Sequence, residues 1–251
     1  MKTRVNICGI QIDNVTMAEV MDEMNRLIQE RKLSYIVTPN ADHIVKLQKD
    51  QEFRRIYEDA ALVLADGMSL IWAGMFLGTP LREKVSGSDL LPEFCRVAAK
   101  KGHRLFFLGG REGAAKQAKE VLEKLYPGIK IVGAYAPPMG FEKNPDECQK
   151  IETMIKEASP DALFVGLGAP KQERWIYNNY RKLNIPVSAG IGVSFEFMAG
   201  IVKRAPRWMC DTGVEWLWRL LMEPKRLWKR YLVEDPIFFW FVLQQKILRK
   251  T

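Results

Sequence analysis

The sequence predicts an α/β fold: a largely parallel sheet with helices on both faces, followed by a helical C-terminal appendage. Short β-branched or apolar runs alternate with segments of helical periodicity through the first 190 residues. Polar or glycine-rich sequence follows most of the apolar runs, and the composition changes abruptly near residue 200. Strands that alternate with helices form parallel sheets covered on both sides.

The elements are expected in this order. Thr16-Met17-Ala18-Glu19 has the spacing of a capping box and opens a helix to about Arg31. Apolar runs at 33–38, 61–65, 104–108, 129–134, 161–166 and 186–189 are the strand candidates. Helical periodicity marks 40–48, 88–101, 112–125, 145–158 and 170–183, and a further helix starts near Met68. No internal repeat and no low-complexity linker interrupts the chain. The expected division is a catalytic body at 1–200 and an appendage at 201–251.

Charge and aromatic content separate those two parts. The 251 residues carry a formal charge of +8, and +6 of it falls in 201–251, where 11 Lys/Arg face 5 Asp/Glu. Five of the seven tryptophans (Trp208, Trp216, Trp218, Trp228, Trp240) lie there too. Cations interleaved with amphipathic rings suit a surface that is anionic outside and greasy beneath, as a membrane interface is. The longest apolar run there, 237–243, is far short of the ~20 residues that span a bilayer. The start has no uninterrupted apolar stretch, so no signal peptide is expected.

Cys8, Cys95, Cys148 and Cys210 form no C-x-x-C and stand near no histidine pair, which argues against a zinc site and fits reduced thiols in cytoplasm. His43 and His103 are read as surface or capping residues, not as ligands. No D-x-D occurs, so the usual carboxylate pair for a metal-bound sugar nucleotide is missing. Neither a metal nor a cofactor is expected.

In open α/β sheets, ligands bind beyond the carboxyl ends of the strands. Here those ends read Thr38-Pro39-Asn40-Ala41-Asp42, Asp66-Gly67-Met68, Gly109-Gly110-Arg111-Glu112, Gly166 to Glu173, and Gly190-Ile191-Gly192. Glycines there let backbone N–H groups approach a phosphate. Asp66 is the candidate base, with capping of the next helix as its alternative role. Asp42 ranks behind it. Thr38 and Asn40 flank a proline and are candidates to meet the ligand, Asn40 alternatively as an N-cap. Gln172, in a first helical turn, is placed either to reach a sugar or phosphate or to lie in solvent. Arg82 and Lys84 are alternative partners for a diphosphate. Gly109, Gly110 and Gly168 complete the binding set.

Pro224 and Asp235-Pro236 are expected to divide the appendage into three short helices. In the middle one Leu227, Trp228, Tyr231 and Leu232 form an apolar stripe, and Arg226, Lys229 and Arg230 a basic one. Three cations at an anionic leaflet contribute about 3 kcal/mol, enough for reversible docking. The alternative is a helix that packs its stripe on the protein. An apolar tail off the membrane also favours self-association.

Read as a set, Thr38-Pro39-Asn40, Leu64-Ala65-Asp66-Gly67, Val85-Ser86-Gly87-Ser88-Asp89-Leu90, Phe107-Leu108-Gly109-Gly110 and Gly166 to Glu173 resemble the WecG/TagA/CpsF family of bacterial glycosyltransferases. Lys203-Arg204-Ala205-Pro206, Gly213-Val214-Glu215-Trp216 and Glu223-Pro224-Lys225-Arg226-Leu227 extend the likeness. The resemblance implies a Rossmann-like fold and metal-independent, inverting transfer from a UDP-sugar to an undecaprenyl-diphosphate-linked sugar, at the inner face of the cell membrane. In the TagA-like branch the donor is UDP-N-acetylmannosamine, and the acceptor is N-acetylglucosaminyl-diphospho-undecaprenol, used for the linkage unit of wall teichoic acid. UDP-N-acetylmannosaminuronic acid or a UDP-hexose is the alternative donor. By the same resemblance Asp66 is the base and Thr38 and Gln172 line the sugar site. Arg219, Arg226 and Lys229 match basic residues of the family's appendage, and Arg230 is grouped with them at the lipid acceptor. The family often has Arg where this chain has Lys84, which removes a bidentate phosphate grip. Two rival classes are weaker. A nucleic-acid module with a basic aromatic arm needs less aliphatic sequence than Leu217, Leu220 and Leu221 supply. A dinucleotide oxidoreductase needs a fingerprint that is missing.

Overall fold

The computed structural model describes residues 3–248. In chain order the strands are β1 (Arg4–Ile7), β2 (Ile10–Asp13), β3 (Ser34–Val37), β4 (Leu62–Val63), β5 (Arg104–Gly109), β6 (Lys130–Tyr135), β7 (Ala162–Gly166) and β8 (Val187–Gly190). The helices are α1 (Met17–Gln29), α2 (Ala41–Leu47), α3 (Gln51–Glu58), α4 (Met68–Phe76), α5 (Gly87–Lys101), α6 (Ala114–Leu125) and α7 (Pro145–Ala158). They continue with α8 (Lys171–Leu183), α9 (Ser194–Met198), α10 (Arg207–Thr212), α11 (Glu215–Met222), α12 (Pro224–Lys229) and α13 (Pro236–Leu248). All six predicted strands form, and the α/β class is confirmed. The hairpin β1–β2 and helix α3 were not expected.

Two compact units share the chain. The first comprises Met1–Thr16, Thr38–Ser86 and Arg204–Thr251, and the second Met17–Val37 and Gly87–Lys203.

The second unit holds five parallel strands in the order β3-β8-β7-β5-β6. Strands β3, β7 and β8 are buried at every position, as strands covered on both faces must be. α7 and α8 pack together and against the sheet, while α1, α5, α6 and α9 form a second helical group. Phe107 anchors the core, its ring 5.0 Å from Phe195 and edge-on to Phe164 at 6.2 Å.

The first unit is built around the hairpin. Cys8 and Gly9, both at positive φ, make its two-residue turn, which matches strand twist. Asp13 then joins two elements: its carboxylate accepts the Val63 N–H at 2.8 Å and pairs with Arg4 at 3.0 Å while fully buried. The C-terminal helices belong to this unit. α13 packs on α2, and Gln245 bridges the hairpin, donating to the Asn6 carbonyl at 2.9 Å and accepting from the Cys8 N–H at 2.6 Å. The Trp72 ring lies so close to Gly213 that an added Cβ would sit 2.4 Å from it.

The three-helix expectation for the tail is corrected. Gly213, at φ +80°, ends α10 before the predicted breaks, and a π-helical turn (Arg230–Glu234) joins α12 to α13. Among the described residues no helix is long and apolar enough to cross a membrane.

Removing the Asp13 carboxylate strands a buried N–H. Asp13→Ala is expected to lower unfolding free energy by about 2 kcal/mol in urea titrations. An unchanged midpoint would show that the contact carries no weight.

Candidate functional site

In the second unit three neighbouring strands end on glycine. Gly109 pairs with Gly166 in register, and Gly190 pairs with Val165. The backbones beyond are pressed together: a Cβ on Gly109 would lie 2.5 Å from the Gly166 carbonyl oxygen, and one on Gly166 2.8 Å from that of Gly192. Gly109, Gly110 and Gly168 all have positive φ, which a side chain disfavours. The result is a sheet edge presenting backbone instead of side chains.

Gln172 ties this edge together. It is buried, not a solvated first-turn residue, because its Oε1 accepts the Gly192 N–H at 3.0 Å and its Nε2 donates to Glu173 at 2.7 Å. A second buried carboxylate, Glu196, accepts the Arg111 N–H at 3.0 Å and fixes the Gly109-Gly110-Arg111 turn.

In the first unit Asp66 follows β4 with its N–H on the Pro39 carbonyl at 2.9 Å. The N-cap of α4 is Gly67, which has no side chain to contribute, so capping does not occupy Asp66. Burial pushes its carboxyl up to about 6, and the nearby charge of Glu215 adds to that. His43, Arg219 and Lys84 oppose the rise. A carboxyl poised near neutrality is ionised in part at pH 7 and can take a proton from a hydroxyl, becoming the neutral acid as it does so.

Thr38 is buried on the same turn. Asn40 is the N-cap of α2: its side chain accepts the His43 N–H while His43 reaches back, a reciprocal box. His43 is therefore a capping residue. His103 is buried, hydrogen-bonded to Asn25 at 2.8 Å and stacked on Phe94. Lys84 is half-buried and donates to the Cys210 carbonyl at 3.3 Å, while the Arg82 backbone N–H donates to Oδ1 of Asn14 at 2.8 Å. Arg219 is half-buried near Asp66, whereas Arg226 and Lys229 are exposed. Arg230 leaves their stripe at the π-helical turn and points inward. Asp42 is buried: burial alone would push it up, but Arg230 and Lys46 outweigh this and hold it below the usual range.

Sequence reasoning missed Glu215 and Asp235 as neighbours of this cluster. Glu215 stood only in a motif, and Asp235 only as a break before Pro236. Burial pushes Asp235 up to about 6 as well, against the pull of Arg230. Burial raises the Cys8 thiol to about 12 and Cys210 to about 11, so neither is a nucleophile near neutral pH. Among the described residues no group of three or more His, Cys, Asp or Glu is placed to hold a metal ion.

Residues 5–251 match the model of the glycosyl transferase WecG/TagA/CpsF family, and the chain belongs to that family. It is a glycosyltransferase. It is 30% identical to an N-acetylglucosaminyldiphosphoundecaprenol N-acetyl-beta-D-mannosaminyltransferase of Staphylococcus aureus strain MW2, over 97% of this chain and 93% of the relative. The enzyme of the same name from strain NCTC 8325 / PS 47 is 29% identical over the same shares.

Because the folded Asp66 carboxyl holds its proton above the ordinary 3.8, its burial costs stability only once it ionises. Native stability thus falls as pH rises from about 4 through about 6, the region between the ordinary and the raised value. Asp66→Asn is expected to unfold at higher urea than the parent at pH 7.5, with the gap closing below about pH 4. A variant less stable at pH 7.5 would contradict the electrostatic account.

Proposed function

We propose that the chain transfers N-acetylmannosamine from UDP-N-acetylmannosamine to N-acetylglucosaminyl-diphospho-undecaprenol, with inversion and without a metal ion. The observation that carries the reading is Asp66, a carboxyl raised to about 6 and flanked by Lys84 and Arg219. Its support is the activity for which relatives that align along nearly the whole chain are named.

In the proposed step Asp66 takes the proton of the acceptor hydroxyl. The oxygen then bonds to C1 of the donor sugar from the face opposite the nucleotide. The C1–O bond to the diphosphate breaks, and UDP departs with the electron pair. One displacement inverts the anomeric centre. With no D-x-D in the sequence, backbone N–H groups and cations are left to meet the leaving diphosphate. Thr38, Asn40, Lys84, Gly109, Gly110, Gly168 and Gln172 are the proposed donor-binding residues. Arg219, Arg226, Lys229 and Arg230 are those proposed for the lipid acceptor.

We place the reaction at the inner face of the cell membrane, with 201–251 serving as the appendage. α13 buries Phe238 and Val242, leaving Phe239, Trp240, Leu243 and Ile247 exposed along its other side. Trp216, Leu221 and Trp228 are exposed on α11 and α12, with Arg226 and Lys229 close by in sequence. Exposed rings beside cations favour an anionic lipid surface.

Asp66→Asn is expected to lower kcat by about 10²–10⁴-fold while UDP affinity stays within about twofold. In the parent, kcat/KM should rise with pH to a plateau above about 6, where the base is ionised. Near-normal turnover by the variant removes Asp66 as the base. Vesicle sedimentation tests the location: capture by anionic liposomes should weaken in high salt and in Trp240→Ser. Equal capture by neutral and anionic vesicles would count against docking through cations.

A further inference from the structure

Around the first turn of α2, Asn40 and Arg230 meet two carboxylates, Asp42 and Asp235, that the proposed transfer step does not use. Arg230 opens the π-helical turn with its Nε 3.8 Å from a carboxylate oxygen of Asp42 and 3.8 Å from one of Asp235. Its Nη2 donates to Oδ1 of Asn40 at 3.2 Å. The same Asn40 oxygen lies 2.7 Å from Nδ1 of His43, and Lys46 pairs at 2.7 Å with the same Oδ2 of Asp42 that faces Arg230. One residue before Asn40, the Pro39 carbonyl holds the N–H of Asp66.

One carboxylate would suffice to neutralise one arginine. Here two flank it, although Asp42 already has Lys46. The Nε of Arg230 and the Oδ1 of Asp235 are buried without a hydrogen bond among the described residues, so tight ion pairing is not what the cluster optimises. Two carboxylates at one nitrogen, with Nη2 on Asn40, restrict the orientation of the planar guanidinium. The remaining charged or titratable groups facing the cluster are Tyr231, Glu234, His43 and Asp66.

We propose that Asp42 and Asp235 are positioning residues for the transfer: together they seat Arg230 on Asn40 and so brace the 38–40 turn on which the backbone of Asp66 rests. The inference rests on the reading of Asp66 as the base. A base displaced by about 1 Å from its hydroxyl loses up to about 10²-fold in rate, so bracing of this kind is read in kcat.

The test uses the full chain, UDP-N-acetylmannosamine and a short-chain analogue of the lipid acceptor. Asp42→Asn and Asp235→Asn are each expected to lower kcat about tenfold or more, with the donor KM within about twofold. Arg230→Gln removes a cation from the surroundings of Asp66 and should move the acid limb of kcat/KM to higher pH. Should Asp42→Asn fold poorly, the paired variant Asp42→Asn/Arg230→Gln leaves no lone buried charge. It is expected to be stable yet no faster than either single variant. Recovery of parental kcat in that pair would reduce the cluster to a structural role and overturn the proposal. So would a change confined to KM, or kcat within twofold of the parent in both single variants. Asp66→Asn is assayed alongside: if it turns over normally, the base reading fails first. If it is inactive while the Asp42 and Asp235 variants are normal, only the positioning role is lost.

Discussion

Holding an ionisable carboxyl at Asp66 away from water is the constraint on which the first unit turns. Desolvation and the Glu215 charge favour the neutral acid, while Lys84, Arg219 and His43 favour the ion. The first set outweighs the second, and the carboxyl is left at about 6. The opposing charges come from distant parts of the sequence, so the fold of that unit and the tuning of the carboxyl are one problem. The buried Asp13 bridge to Val63 and the Trp72 contact with Gly213 serve that end by holding β4, α4 and the C-terminal helices in one body.

The second unit meets a different demand. A parallel sheet buried on both faces leaves only its edges free for ligands. At the carboxyl ends of β5, β7 and β8 side chains are absent, and Gln172 and Glu196 hold the loops from below. Backbone held this way is rigid, and a rigid edge loses less freedom on meeting a ligand than flexible side chains do.

Much of this was legible in residue order. The six apolar runs became strands because strand burial leaves a local, contiguous signature, and Pro145 and Pro224 stand at helix starts. The β1–β2 hairpin escaped notice because its strands have four residues and its turn is Cys-Gly, not the stronger Asn-Gly or Asp-Gly. Helix α3 carried readable signs, an Asp50 cap with Phe53, Ile56 and Tyr57 on one side, but it is only eight residues long. Asp66 and the glycine loops stood out because strand ends point to them. Glu215, Asp235 and the inward turn of Arg230 did not, because their meaning depends on contacts across nearly the full chain and on a π-helical turn that resets the helical register.

The chain order of the two units has a consequence for biosynthesis. All residues of the second unit have been translated once Lys203 is added, so that unit can mature while the ribosome is still at work. The first unit takes segments from both sides of the second, and its segment after Lys203 brings Glu215 and Arg219. Until those residues emerge, a nascent chain carries the Asp66 carboxyl without the opposed charges of Glu215 and Arg219 that surround it in the folded unit.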